Sequence, residues 1–262
     1  MARVAALYRY PVKGFAPERC ETLWVGEGGR IAGDRVLGFR FGDSRTPGNA
    51  WGPKQEFVAL VNTPGLARLR ARFDQTELRL GVESGGTVLA DEALEEEGRR
   101  RIAAAVECFV LGLDINPLAD HPQRRPLRLV GDGVTPRFHD NEAGQTTLHG
   151  RASLVALAEA LGDPELSELR FRSNIAVEGL RPWEEQEWLG RRVWVGRVQF
   201  RVVQRKRRCL ATHANPATGE RDRSVLATLV RAFAQSAPTF AVGLETIGPG
   251  GPIAVGDPVE PA

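Results

Sequence analysis

The chain has 262 residues, 42% of them hydrophobic and 26% charged, with 35 cations against 33 anions. That length buries one large core or two closely packed ones, and a net charge of +2 gives no global field for nucleic acid. No apolar run approaches the roughly 20 residues of a membrane span, and Arg and Tyr interrupt the short apolar start, so a cytoplasmic chain with no membrane partner is expected.

In chain order, the first part reads as short strands at 3–12, 20–25, 35–41, 56–61 and 76–82, where β-branched and aromatic residues are bounded by Gly, Pro and Asp clusters. Leu66 and Leu69 after Pro64 predict a short helix. Between 91 and 125 an acidic then basic helical stretch runs into an apolar strand and a Pro-containing loop, which places a boundary there or just beyond. Strands follow at 126–130 and 145–150, then a helix whose Ser153, Leu154, Leu157, Ala158 and Leu161 form one stripe closed by Gly162. "LRFRSNIAVEGL" (169–180) reads as a strand, and 191–208 as a hairpin about Gly196. A helix carrying Val225, Leu226, Leu229, Val230 and Phe233 precedes closing strands in "PTFAVGLETI" and "PIAVGDPVE". The sum is a mixed α/β fold dominated by β, barrel-like with covering helices and not doubly wound.

Three scattered cysteines, Cys20, Cys108 and Cys209, disfavour a disulfide framework and offer no CxxC pair. Lysine is rare: Lys13, Lys54 and Lys206 are the only three among the 35 cations. An ammonium in an Arg-dominated chain marks a site that needs a point charge, with drift at exposed positions as the other reading; Lys13 is the strongest exception to drift. Cys209 ends the basic run Arg205 to Arg208. A thiol ligates a soft metal only as thiolate, and neighbouring cations stabilise that anion. Strand alternation makes Arg207 the formal same-face neighbour of Cys209. A small buried hydrophobe beside a solvated basic edge is the alternative. "YPVKG" (10–14) sets Lys13 and Gly14 after a proline-fixed segment, where backbone approaches a ligand closely. "IAGDR" (31–35) and "FRSN" (171–174) each offer an Arg able to grip phosphate, although pairing with carboxylates is the commoner use of Arg. His121, His139 and His149 match no zinc spacing. Trp183, Trp188 and Trp194 read as barrel cover.

The order "YPVKG", "GDR", "FRSNIAVEG", "RRCLATHANPATGE" resembles the two-part molybdenum cofactor sulfurase C-terminal (MOSC) proteins over nearly the whole chain. In layout the chain is similar to the amidoxime-reducing components and their bacterial homologues. The resemblance implies a smaller β-rich, barrel-like N-terminal region over 1–120 and a MOSC-type β-barrel over 121–262. It also implies that Cys209 ligates molybdenum of a molybdopterin cofactor, that Lys13, Gly14, Arg35, Arg172, Asn174, Arg207, Arg208 and Thr212 surround that anionic ligand, and that no pyridoxal phosphate is bound. Pro216 and Gly219 fit the segment after the cysteine, and the loop at Asn141 to Gly144 stands where family members pass the cofactor, exposed turn residues being the other reading. Departures are Gly14 for Ser, Ser173 for Pro, Asn215 for Asp and His213 for Thr. His213 adds a group that titrates near neutral pH and is carried as a candidate catalytic residue, an ordinary turn residue being the alternative.

The function implied is an oxidoreductase that removes oxygen from small N-hydroxylated substrates at the Cys209-ligated molybdenum. No flavin, haem or iron–sulfur motif is present and no Cys-rich ferredoxin tail is expected, so a separate ferredoxin-, flavoprotein- or cytochrome-type electron partner is expected. The alternative is a cofactor carrier or sulfur relay that uses Cys209 without its own turnover. A nucleic-acid module built on "RKRR" is disfavoured by the near-neutral charge and by Glu220 and Asp222 nearby.

Overall fold

The computed structural model describes residues 1–262. Strands dominate it: Arg3–Arg9 (β1), Glu18–Cys20 (β2), Thr22–Val25 (β3), Gly38–Arg40 (β4), Leu69–Asp74 (β5), Arg79–Ser84 (β6) and Thr87–Ala93 (β7) precede the helix Glu96–Leu111 (α1). Then come Arg128–Val130 (β8), Thr146–Gly150 (β9), the helix Arg151–Leu161 (α2), Ile175–Glu178 (β10) and the short helix Glu184–Glu187 (α3). Arg192–Val195 (β11), Val198–Arg207 (β12), the helix Val225–Ala232 (α4), Thr239–Thr246 (β13), Gly251–Ala254 (β14) and Val259–Pro261 (β15) complete the chain. No helix is long and apolar enough to cross a membrane.

The largest sheet runs β15-β11-β12-β13-β9-β10-β1-β2. It rolls back on itself, because the backbone of Val4 exchanges hydrogen bonds with Asp257 and Gly256, and Val259 N–H donates to Ala2. β15 and the start of β1 are therefore joined and the ring closes, with the short β2 left at the end of the order, which gives the barrel expected from the strand-rich pattern. Inside it, alternate residues of the hairpin, Val193, Val195, Val198, Phe200 and Val202, pack with Leu148, Ile175, Val242 and Leu244. α2 and α4 cover one side through Leu157, Val225 and Leu229, which pack on Phe171 and Phe240.

A second core of 23 buried residues lies between Val12 and Leu129, under the antiparallel β5-β6-β7 sheet and α1. α1 faces it with Ile102, Val106 and Val110, four residues apart on one helical face. The apolar strand expected after the charged helix is thus the second half of that helix. Three other expectations give way. Residues 56–61 form no strand beyond a bridge from Phe57 to Arg40. Residues 168–171 are a 3-10 turn before β10. The cut near residue 120 does not follow the cores: Val4, Leu7, Leu23, Val25 and Ile31 pack inside the C-terminal barrel, and β4 pairs with β8 across that position. The first strands are needed to close the barrel, so the chain begins and ends in the same core.

Candidate functional site

Where the two cores meet, a cavity of about 250 Å³ opens, and Cys209 lines it with 21 other residues, 22 in all. Eight of these are Lys or Arg: Lys13, Arg35, Lys54, Arg170, Arg172, Lys206, Arg207 and Arg208. Asp140 is the one carboxylate among them. All three lysines of the chain are there, although only 22 of 262 residues line the cavity, so drift at exposed positions does not account for Lys54 and Lys206.

Strand alternation predicts that only every second residue of the basic run faces Cys209. Instead Lys206, Arg207, Arg208 and Cys209 all line the cavity. The register of β12 on β13 slips between Arg205 and Arg207, and the strand ends at Arg207. Such an irregularity re-aims side chains, and the extended residues beyond it are free of the pleat. Arg205, before the slip, turns away and donates Nε–H to the Gln186 carbonyl. Arg208 is half-buried: its Nε and Nη1 donate to the Phe240 and Phe171 carbonyls, and its buried Nη2 has no partner. Burial lowers its pKa to about 10. Arg207 is exposed. Cys209 then caps a 3-10 turn over Leu210–His213, and its carbonyl accepts from the Thr212 N–H and hydroxyl, both at 3.0 Å.

Opposite stands a cationic wall built on Tyr10. The guanidinium carbons of Arg172 and Arg35 lie 4.2 and 4.6 Å from its ring centroid, a stacking that accommodates cations at low cost. Both residues sit in the left-handed region, at φ 51° and 52°, a strain of order 1–3 kcal/mol that functional sites tend to hold. Arg172 Nη1 donates to the Phe15 carbonyl at 2.6 Å and its Nη2 is buried without a partner. Burial, then repulsion from Arg35, lowers its pKa to about 10. Arg35 is anchored by Asp34 and donates to the Arg172 carbonyl at 3.1 Å. Asp34 is the hub beneath: it also accepts from Tyr10 N–H at 2.7 Å and faces His139 Nε2 at 3.1 Å. Although burial pushes its carboxyl up, Arg35 and His139 hold it well below the usual carboxylate range. Burial lowers the His139 pKa against the pull of Asp34.

Gly14 turns the chain at φ 89°, and a Cβ there would stand 2.9 Å from Leu66 Cδ1. That lets Lys13 enter the cavity floor, where Nζ donates to Asp140 at 2.7 Å and to the Phe138 carbonyl at 3.0 Å. Burial lowers the Lys13 pKa, while the Lys13 ammonium holds Asp140 far below the carboxylate range. Asp140 neutralises a cation that an incoming anion would use. Asp140→Asn should therefore tighten inorganic phosphate binding by about 1 kcal/mol, roughly fivefold. Titration calorimetry reads this directly; weaker binding would mean that Asp140 organises Lys13 for the ligand.

Two expected site residues are elsewhere. Asn174 does not line the cavity: it is buried, accepts from the Thr147 N–H and hydroxyl and donates to the Tyr8 carbonyl, which ties β9 and β10 to β1. His213 also lies outside, with Nε2 accepting from Leu226 N–H at the start of α4. Its carbonyl accepts from Arg170, whose Nη2 grips Asp222 at 2.7 and 2.9 Å. Asn215 caps its own turn by accepting from Ala217 N–H and donates to the same Asp222, so this network shapes the turn after the cysteine. Lys13, Gly14, Arg35, Arg172, Arg207, Arg208, Cys209 and Thr212 are brought together as expected. Sequence reasoning missed Lys54, His139, Asp140, Gln145, Arg170 and Lys206 as cavity residues; the scarcity of lysine was the available signal for two of them. Cys20 and Cys108 are free thiols away from the cavity.

Residues 135–260 match the MOSC domain family. The chain is 38% identical over 189 residues to a molybdenum cofactor sulfurase of Anopheles gambiae, an alignment covering 62% of this chain and 24% of that protein. It is 42% identical over 144 residues to a molybdenum cofactor sulfurase of Caenorhabditis elegans, covering 52% and 20%. The chain thus spans about a quarter or less of the length of these relatives. Among solved structures, the YUAD protein of Bacillus subtilis superposes with a TM-score of 0.45 at 12% identity, covering 99% of this chain and 94% of that one. YiiM of Geobacillus stearothermophilus gives 0.33 at 20% identity over 45% and 53%. Cys209, the basic segment before it and the turn after it all fall inside the stretch, residues 135–260, that matches the MOSC domain.

Proposed function

We propose that the cavity holds a molybdenum cofactor, with Cys209 as the thiolate ligand of the metal. The observation that carries this reading is the pair of buried guanidinium nitrogens, Nη2 of Arg172 and of Arg208, that have no partner within the protein on residues lining the cavity. Buried donors left unmade cost about 1–3 kcal/mol each, more when charged, and a ligand with anionic oxygens removes that cost. A pterin dithiolene with a terminal phosphate is such a ligand. Lys13, Arg35, Arg172 and Arg208 would hold its anionic groups, and Gly14 lets backbone approach it.

In this reading the protein reduces small N-hydroxylated compounds: R–NHOH with two electrons and two protons gives R–NH2 and water. The bound cofactor supplies the two-electron chemistry. The chain's part is to bind and orient it through Cys209 and the cations, with electrons delivered by a separate ferredoxin-, flavoprotein- or cytochrome-type partner. A second reading, a cofactor carrier or sulfur relay using Cys209, is favoured by the name molybdenum cofactor sulfurase borne by the relatives. Chemically reduced, cofactor-loaded protein mixed with an amidoxime or hydroxylamine separates the two. Product formed over many turnovers supports the reductase; retained metal with no turnover and a persulfide on Cys209 in mass spectra supports the relay.

A further inference from the structure

Lys206 is placed by three features that serve no packing purpose. The slip in β12 turns it into the cavity. On the facing strand stands Gly243, where a Cβ would come within 3.1 Å of Lys206 Cε and 3.2 Å of Nζ, so a side chain there would crowd the ammonium out of its place. Two neutral amide oxygens then receive it: Nζ donates to Gln145 Oε1 at 3.0 Å and to Gln204 Oε1 at 3.2 Å. Gln145 cannot flip freely, because its Nε2 donates to Glu245 at 3.0 Å while Asn141 Nδ2 donates to its Oε1 at 3.2 Å. The carboxylate thus aims an amide oxygen at the lysine without neutralising it.

No carboxylate lies within ion-pairing distance of Lys206, in contrast to Lys13 with its Asp140. An ammonium has three donors and two are used, which leaves one N–H for a ligand. Burial lowers the Lys206 pKa to about 8, helped by Arg208 and Arg35 and opposed by Asp140 and Glu245. A charge kept part-buried without a counter-ion is costly unless something anionic compensates it.

We propose that Lys206 is a ligand-binding residue of the cavity, donating its third N–H to an anionic oxygen of the group held there. In identifying that group this rests on the molybdenum-cofactor reading, but the anion chemistry stands without it. The affinity of the cavity for anions then falls as the lysine loses its proton, because only the ammonium form binds.

The test uses the full chain from a host unable to make the cofactor, with inorganic phosphate as probe, titrated between pH 6.5 and 9.5. The ratio of wild-type to Lys206→Met affinity, which cancels the probe's own change of charge over this range, is expected to fall about tenfold toward the top of it, with the change centred near pH 8. Lys206→Met should bind about tenfold more weakly than wild type at pH 7, and Lys206→Arg should keep most of the pH 7 affinity while its ratio to Lys206→Met stays constant with pH. Melting temperatures within a few degrees of wild type would exclude a folding effect. A Lys206→Met protein that binds phosphate with the wild-type affinity and slope overturns the proposal, as does a wild type that binds no phosphate. Molybdenum and pterin analysis of wild type from a cofactor-making host runs alongside. If both are absent, the cofactor reading fails while the phosphate result still decides Lys206.

Discussion

Arg172→Met is expected to weaken retention of the anionic ligand by about 100-fold while leaving the ligand-free protein no less stable than wild type. The first half follows from losing a half-buried cation whose buried Nη2 is unpartnered within the protein; charge-assisted hydrogen bonds contribute about 1.5–3 kcal/mol each. The second half is a balance of opposed effects. Arg172 loses its bond to the Phe15 carbonyl and its stacking on Tyr10, together about 1–2 kcal/mol. Against that, a folded pKa of about 10 says that the site disfavours the charged form by about 3 kcal/mol relative to water, and at neutral pH the fold bears that cost in full. Methionine fills the same slot without the charge. Equilibrium unfolding beside phosphate or cofactor binding checks both halves. A fall of many degrees in melting temperature with binding intact would make Arg172 a structural residue.

Glu185→Gln should change stability, and in a pH-dependent way. Glu185, the second residue of α3, is fully buried; one oxygen accepts from Ser153 at 2.8 Å and the other has no partner. Burial pushes its pKa up to about 7. The folded protein therefore holds a proton that the unfolded chain releases at its ordinary value near 4.5. Stability from this group is full below that ordinary value and is lost as pH rises through about 7. The loss amounts to about 3 kcal/mol. Glutamine is neutral at every pH, so the variant should match wild type near pH 4 and exceed it by about that amount at pH 8. Parallel stability curves across this range would show that Glu185 stays ionised in the fold.

The barrel was legible because its strands alternate cleanly: Val193, Val195, Val198, Phe200 and Val202 are all buried, as a period of two demands. Length was the harder quantity. "CFVL" at the end of α1 looks like a strand when taken alone and belongs to a helix only because Ile102, Val106 and Val110 continue a face begun earlier. The cores cross the expected boundary for a topological reason, since no local pattern says that β1 and β2 will join a sheet whose other strands lie beyond residue 145. At the site, Cys209 and the arginines could be found from residue type. For Lys206 the only signal was the scarcity of lysine, because strand alternation sets it on the face away from Cys209 and the slip against β13 brings it in. Asn174 and His213 lie on segments that hold the cavity's walls, which explains how residues flanking the site can serve it without facing it.

Cys209 carries the central claim, and one comparison tests it: molybdenum and pterin content of the wild-type protein and of Cys209→Ala, both isolated from a host that makes the cofactor. The account predicts molybdenum and pterin together in wild type, near one per chain, and a loss of at least tenfold in molybdenum when the sulfur is removed. Undiminished molybdenum in Cys209→Ala would contradict it.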